Sequence, residues 1–376
     1  MSTRWLTAAA ALSALQLLAC NSTTVTNSNP GSGGSSGAGG DSGLGGSSGA
    51  GGDSGLGGSS GAGGDSGLGG SSGAGGDSGL GGDSGLGTAG PSCTGLGPCG
   101  TGVSCCASVL VPGGKFQRDN TAGPEYAAAV SSFRLDAFEV TVGRFRKFIA
   151  AGAPTPKPGD GKHAHLPGGA LAGEAGWDAA WDAHIPLFKA WNEEIAKCAA
   201  NNQDPKPTWT PTADANEQRP MNCVSFPQAY AFCIWDGGFL PTEAEFGYAY
   251  VDGKAQLSYP WGEAAPSPQL AVYGLLASDS PPDVGSKPPT RGFFDLAGSL
   301  YEFTRDGFAG AGNGYPKNPC DNCVLLGSAP IADHVIRGGG YVNGASVLSP
   351  KDGSNRLPFY FGGNNVGFRC ARIPSP

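Results

Sequence analysis

Residues 219–249 read RPMNCVSFPQAYAFCIWDGGFLPTEAEFGYA, and two helix starts can be located within them. A Ser-x-x-Gln sequence begins at Ser225 and a Thr-x-x-Glu sequence begins at Thr242. Both have the spacing of a capping box, in which two side chains satisfy the backbone amides at the start of a helix. The first helix is predicted to run to about Trp235, where a pair of glycines ends it.

Three shorter segments follow in a fixed order: GFFDLAGSLYE at 292–302, RGGG at 337–340 and GFRCAR at 367–372. Together with 219–249, this set resembles the sulfatase-modifying-factor family, which includes the formylglycine-generating enzyme. The resemblance implies an α+β fold that is rich in loops, low in regular secondary structure and similar to C-type lectins.

The start of the chain has the pattern of a bacterial lipoprotein signal. Arg4 precedes an apolar stretch that is too short to span a bilayer, and the stretch ends at Leu-Leu-Ala before Cys20. We expect residues 1–19 to be removed and Cys20 to be lipidated, which would anchor the chain stably in a membrane. Asn21 follows, in place of the Asp that retains lipoproteins in the inner membrane of enteric bacteria, so the outer membrane is the predicted location.

Residues 20–92 are predicted to be a disordered tether. The sequence GGSSGAGGDSGL recurs with a period of 12 and offers almost no side chain that can form a core. Its Asp residues do not have the nine-residue spacing of calcium-binding glycine-rich repeats, which argues against a calcium site here.

The rest of the chain divides into a cysteine-rich lead-in at 93–110 and one large domain at 111–376. The net charge of −8 and the absence of any basic cluster give no indication of nucleic-acid binding.

Ten cysteines remain after Cys20 in a chain that is predicted to be exported, which favours disulfides. The resemblance implies that Cys233 pairs with Cys370. Two further pairs are predicted, Cys198 with Cys223 and Cys320 with Cys323. The lead-in cluster of Cys93, Cys99, Cys105 and Cys106 is expected to form two bridges of undetermined connectivity. A redox or metal role for the CxxC at 320–323 is the alternative, but its Pro- and Gly-rich surroundings favour a structural disulfide in a loop.

A strand is predicted at 133–138, followed by a helix that starts at Thr141 and ends near Gly152. Residues 155–218 contain four Trp and many Pro, and are interpreted as a variable insertion. His163 and His165 are close enough to share a metal, but their Gly- and Pro-rich surroundings favour an accidental surface position.

Glu243 and Glu245 could form an acid/base pair, but the resemblance implies that both are structural. Asp295, Gly298, Leu300 and Glu302 match, position by position, a calcium site of the formylglycine-generating enzyme. Two carboxylates and two backbone carbonyls are hard oxygen ligands of the kind that calcium takes. The alternative is that this segment is a turn capped by acidic side chains without a bound metal.

The chain departs from the family at the positions that would carry catalysis. The formylglycine-generating enzyme binds copper(I) through two cysteines that follow its RGGS motif, and soft thiolates are what copper(I) prefers. Here Gly340 replaces the motif serine, and Asn343 and Leu348 stand where the cysteines would fall. No copper is therefore expected.

Two hypotheses follow. The first is a non-catalytic cell-envelope lipoprotein whose domain binds a glycan or an envelope protein, with Tyr341, Phe359, Tyr360 and Phe361 as an aromatic platform. The second is a family oxidoreductase, which either converts a protein cysteine to formylglycine or carries out a related metal-dependent oxidation. Whether the protein is an enzyme stays open at this point.

Overall fold

The computed structural model describes residues 90–100, 102–185, 190–193, 195, 198, 207–276, 278–308, 320–326, 333–350, 357–359 and 363–374. These residues belong to one unit, Gly75–Pro376. The predicted signal at 1–19, Cys20 and the tether up to residue 89 lie outside the described residues. Within the described ranges, every helix is too short or too polar to cross a membrane.

The described residues include α1 at Val142–Ala150, α2 at Phe226–Trp235 and α3 at Glu243–Tyr250, and α2 and α3 start where their capping boxes predict. At the start of α3 the backbone amide of Thr242 donates to Glu245 Oε2 over 2.8 Å, and the amide of Glu245 donates back to Thr242 Oγ1 over 3.0 Å. The sequence prediction of two capped helices is confirmed.

The strands are short, which agrees with the predicted loop-rich α+β fold. In the described part of the chain they are β1 Pro98–Cys99, β2 Val103–Ser104, β3 Ser108–Val111, β4 Gly114–Gln117, β5 Ala127–Val130, β6 Phe133–Asp136, β7 Tyr301–Gly307, β8 Cys320–Asp321, β9 His334–Arg337, β10 Leu357–Phe359, β11 Val366–Gly367 and β12 Ala371–Arg372.

The strands form four small sheets with the orders β10-β9-β7-β11, β12-β6-β3, β4-β5-β8 and β1-β2. The last strand, β12, pairs with β6 near the start of the domain, with Ala371 opposite Leu135. On the other side of β6 lies β3, where Val109 is opposite Leu135. Since β3 begins at Ser108, the cysteine-rich lead-in is built into the domain and is not a separate segment before it.

The described part of the segment at 155–218 contributes to the core. Its four tryptophans are all buried and pack with α1 and α2, namely Trp177, Trp181, Trp191 and Trp209. The second large cluster lies between α3 and the sheets of β3–β6 and includes Phe133, Phe246 and Phe293. The segment at 155–218 therefore completes one of the two main hydrophobic clusters of the domain.

Five disulfides are formed, and they include the three predicted pairs. The pairs are Cys93–Cys106, Cys99–Cys105, Cys198–Cys223, Cys233–Cys370 and Cys320–Cys323. The bridge from Cys233 to Cys370 joins α2 to the residue before β12 and closes a loop of 137 residues. A loop of that length strongly restrains the unfolded chain, by about 2–4 kcal/mol.

Four charged side chains form a buried ring that ties the first and last parts of the domain together. Arg144 Nη1 lies 2.9 Å from Asp136 Oδ2, and Arg144 Nη2 lies 2.7 Å from Asp236 Oδ2. Arg372 contacts the same two carboxylates at 2.8 Å and 2.6 Å. Ser92 joins the ring, because its backbone amide donates to Asp236 Oδ1 over 2.9 Å. The ring connects β6, α1, the end of α2 and β12. It also includes Ser92, the last residue of the stretch predicted to be a disordered tether, which is buried and hydrogen bonded here.

Replacing Arg144 with Met should destabilise the protein by about 3–5 kcal/mol, because two buried carboxylates would lose one of their two cations. The measurement is urea unfolding of the oxidised protein. The control is Lys147→Met on the exposed side of the same helix, which should change the free energy of unfolding by less than about 0.5 kcal/mol. Equal effects of the two substitutions would contradict the importance of the ring.

Candidate functional site

The RGGG segment ends β9 and turns sharply into the region that corresponds to the catalytic position of the family. Arg337 is buried, hydrogen bonds through Nη2 to Asp119 Oδ1 and lies 3.7 Å from Glu243 Oε1. Gly338 and Gly339 have φ angles of +99° and +84°, which favour glycine. The motif therefore holds a fixed turn in place.

The three positions that would carry copper chemistry have other roles. Asn343 Oδ1 accepts a hydrogen bond of 2.7 Å from Asn365 Nδ2. A Cβ atom on Gly340 would lie 2.1 Å from Asn365 Oδ1, so a serine there would displace this amide. Leu348 is fully buried, and its carbonyl accepts a hydrogen bond from the Tyr250 hydroxyl. An amide pair and an aliphatic side chain take the place of the two thiolates.

No cysteine elsewhere in the domain can supply the missing ligands. The chain has eleven cysteines, of which Cys20 precedes the domain, and the other ten all form the five disulfides. In addition, the described residues contain no set of three or more His, Cys, Asp or Glu side chains placed to hold a metal.

The predicted aromatic platform is not supported at Tyr341. This side chain is fully buried and packs against Val272 and Leu300, so it cannot stack on a ligand. The prediction fails here because an aromatic residue after a tight turn can point inward as easily as outward. Phe359 ends β10, where only the backbone is described, and Tyr360 and Phe361 lie outside the described residues.

Among the predicted calcium ligands, Glu302 contacts the buried guanidinium of Arg369, and Asp295 interacts with that guanidinium at longer range. Both oxygens of Glu302 lie 2.7 Å from Arg369, and Asp295 Oδ2 accepts a 2.7 Å hydrogen bond from the amide of Gly285. The Glu139 carboxylate accepts hydrogen bonds of 2.9 Å from the Ser299 hydroxyl and from the backbone amide of Leu300.

This cluster carries more negative than positive charge. Burial raises the pKa of the carboxyls of Glu139, Asp295 and Glu302, and the neighbouring carboxylates raise that of Glu139 further. Arg369 offsets only part of the effect. Three buried carboxyls therefore lie near one guanidinium, and the Glu302 oxygens that contact Arg369 each retain a second lone pair.

A second charged cluster is centred on His163. Its ring is fully buried, with Nδ1 2.9 Å from Glu174 Oε1 and Nε2 3.2 Å from Glu245 Oε2. Although burial lowers the pKa of His163, Glu245 and Glu174 raise it to about 9. A protonated imidazole between two carboxylates thus ties the segment at 155–218 to the start of α3.

The predicted surface position of His163 is wrong, because both ring nitrogens find acceptors that permit burial. His165 stacks on Phe239 at 5.5 Å between ring centroids, and both of its ring nitrogens lack a hydrogen-bond partner in the described structure. The sequence gives no signal for this cluster, since Glu174 and Glu245 lie 11 and 82 residues away.

The interpretation of Glu243 and Glu245 as structural agrees with their contacts. Glu245 caps α3 and pairs with His163, while the amide of Glu243 donates to Asp306 Oδ2 over 2.7 Å. Both carboxylates belong to the buried frame of the domain.

Comparison with known proteins identifies the family. Residues 100–374 match the sulfatase-modifying factor enzyme 1-like domain, and the chain belongs to this family. It is 26% identical over 292 residues to the inactive C-alpha-formylglycine-generating enzyme 2 of Mus musculus, covering 70% of this chain and 85% of the relative. It is 28% identical over 313 residues to the formylglycine-generating enzyme of Streptomyces coelicolor, covering 73% and 92%.

Among solved structures, PvdO from Pseudomonas aeruginosa aligns with a TM-score of 0.47 and 19% identity, covering 71% of this chain and 94% of that one. The family match at residues 100–374, together with the motifs, gives the chain the fold of the formylglycine-generating enzyme.

The His163 cluster predicts a loss of stability at alkaline pH. Its pKa of about 9 in the folded protein lies above the usual 6.5, so protonated His163 stabilises the fold fully below about pH 6.5. This contribution is lost as the pH rises through about 9 and is on the order of 3 kcal/mol.

Urea unfolding between pH 6 and pH 9.5 measures this contribution. The variant His163→Gln should be less stable at pH 6 and should lack the alkaline decline. Parallel pH profiles for the variant and the wild type would contradict the role of His163.

Proposed function

We propose that the chain is a lipid-anchored protein of the cell envelope whose family domain binds a glycan or an envelope protein and does not oxidise cysteine. The observation that carries the proposal is the state of the cysteines. All ten in the domain are disulfide-bonded, and Asn343 and Leu348 stand at the copper positions. Copper(I) requires soft ligands, and neither an amide nor an aliphatic side chain is one.

The names of the relatives bear on this choice. The mouse relative is called inactive, and the Streptomyces relative is called a formylglycine-generating enzyme, at nearly the same identity. Percentage sequence identity therefore does not distinguish a binding protein from an oxidase, and the proposal rests on the residues at the site. Oxidation of a protein cysteine is the competing function.

An activity assay separates the two functions. The purified chain is given copper(I), oxygen and a sulfatase-type cysteine peptide, and the peptide is analysed by mass spectrometry. We expect an unchanged peptide, because no thiolate is present to hold the metal.

The Streptomyces coelicolor enzyme serves as the active control, and a peptide with serine in place of cysteine shows the background. Conversion of the cysteine to an aldehyde by this chain would overturn the proposal.

The membrane anchor rests on the N-terminal sequence. An apolar segment followed by Leu-Leu-Ala-Cys and a long Gly- and Ser-rich stretch is the arrangement of a tethered lipoprotein. With Asn21 after Cys20, the outer membrane is the proposed location.

Changing Cys20 to Ser should move the protein from the membrane fraction to the soluble fraction, because the acylated thiol is lost. The measurement is immunoblotting of separated membranes. A variant with Ser22→Ala is the matched control and should stay in the membrane fraction. An unchanged distribution of the Cys20 variant would contradict lipid anchoring.

Calcium is proposed as a structural cofactor of the domain. Asp295 and Glu302 would supply carboxylate oxygens, and Gly298 and Leu300 would supply carbonyls, which suits a hard cation. The excess of buried carboxyls over guanidinium around Arg369 supports this assignment. The cation would supply positive charge to the interior and hold the turn between Asp295 and β7.

Calcium should raise the melting temperature of the protein, because a ligand that binds only the folded state stabilises it, by about 3 kcal/mol at 100 times its Kd. Asp295→Asn should remove the shift, whereas Asp321→Asn, at an exposed carboxylate, should keep it. Thermal unfolding with calcium, with magnesium and with a chelator measures the effect. A wild-type protein that does not respond to calcium would contradict the site.

A further inference from the structure

A cavity of about 490 Å³ lies where the end of the 155–218 segment meets the loop that follows residue 267. Its chemically distinctive lining residues are Arg219, Tyr273, Leu275, Asp279 and Lys287. The loop on one side is fixed to the catalytic region of the family, because the amides of Gly274 and Leu275 donate to the carbonyls of Asn343 and Tyr341 over 2.8 and 2.9 Å. The cavity therefore has one well-anchored wall.

Two half-buried cations face this cavity. No hydrogen bond or ion pair to the side chain of Arg219 or of Lys287 is formed by the residues that the structure describes. Lys287 acts on its surroundings only at longer range, where its charge partly offsets the burial that raises the pKa of Asp295. Cations that are half-buried without a close partner are suited to bind an anion from solution.

The other lining groups limit which anion fits. Asp279 Oδ2 is held by a 3.0 Å hydrogen bond from the amide of Leu276. Together with the two cations, its carboxylate gives the cavity a net charge of +1, which matches a monoanion better than a phosphate. The half-buried ring of Tyr273 and the side chain of Leu275 provide apolar surface.

We propose that this cavity binds a hexuronate unit of an acidic polysaccharide. The sugar carboxylate would pair with Arg219 and Lys287, its hydroxyl groups would donate to Asp279, and its C–H face would lie against Tyr273. A hexuronate combines one negative charge, several hydroxyl donors and an apolar ring face. The proposal rests on the binding function proposed above and names the class of ligand.

The test is calorimetric titration of the purified full chain with a galacturonate trimer. The methyl-esterified trimer, which has the same rings without the charge, should bind at least about tenfold more weakly. A galactose trimer that carries sulfate esters separates carboxylate recognition from recognition of any monoanionic sugar, and it should also bind at least about tenfold more weakly than galacturonate.

Each of the variants Arg219→Gln and Lys287→Gln should lower the affinity for the galacturonate trimer at least about tenfold and leave binding of the methyl ester unchanged. Lys147→Gln, at an exposed position on α1, is the matched control and should bind like the wild type. Melting temperatures show whether the variants fold. If a variant does not fold, the comparison of the acid and ester trimers on the wild type still tests whether the cavity recognises the carboxylate.

Absence of binding, equal binding of the acid and its ester, preference for the sulfated sugar, or an equal loss in Lys147→Gln would overturn the proposal. These results are distinct from failure of the proposed function, which shows as oxidation of the cysteine peptide. If the chain leaves the peptide unchanged and does not bind galacturonate, the binding function proposed above would stand, but a hexuronate would not be its ligand.

Discussion

The buried ring of Asp136, Arg144, Asp236 and Arg372 is the constraint on which the rest of the domain depends. Among the described residues regular secondary structure is sparse, so few backbone ladders hold the two ends of the domain together. The ring joins β6, α1, the end of α2 and β12 through four contacts of 2.6–2.9 Å. Burial alone would raise the pKa of Asp136, but Arg372 and Arg144 hold it below the usual range, so the carboxylate stays charged. The disulfide between α2 and Cys370 reinforces the same junction.

This frame holds the family fold through contacts that lie outside the positions of the copper ligands. The RGGG turn is held by the contacts of Arg337 and by two glycines with positive φ angles. Neither feature involves a copper ion. With Asn343 paired to Asn365 and Leu348 in the core, this part of the chain supports the loop that carries Leu275.

Local signals were enough to predict the helix starts, because each capping box lies within a few residues. The pair Cys233–Cys370 was implied by the family resemblance, since its two cysteines lie 137 residues apart. The long-range polar clusters were not predictable. His163 meets Glu245 across 82 residues and Arg144 meets Asp236 across 92, and nothing in either local sequence indicates its partner. Tyr341 shows a different limit, since the sequence indicates an aromatic residue near the site but not which way it points.

The proposed function depends on the lack of a thiolate for copper(I) in the domain. The most direct measurement is peptide mapping of the mature chain after unfolding and alkylation without reduction, combined with copper(I) titration of the folded protein. We expect no alkylated cysteine between Cys93 and Cys370, and no tight copper(I) binding. Two alkylated cysteines together with one equivalent of bound copper(I) would contradict it.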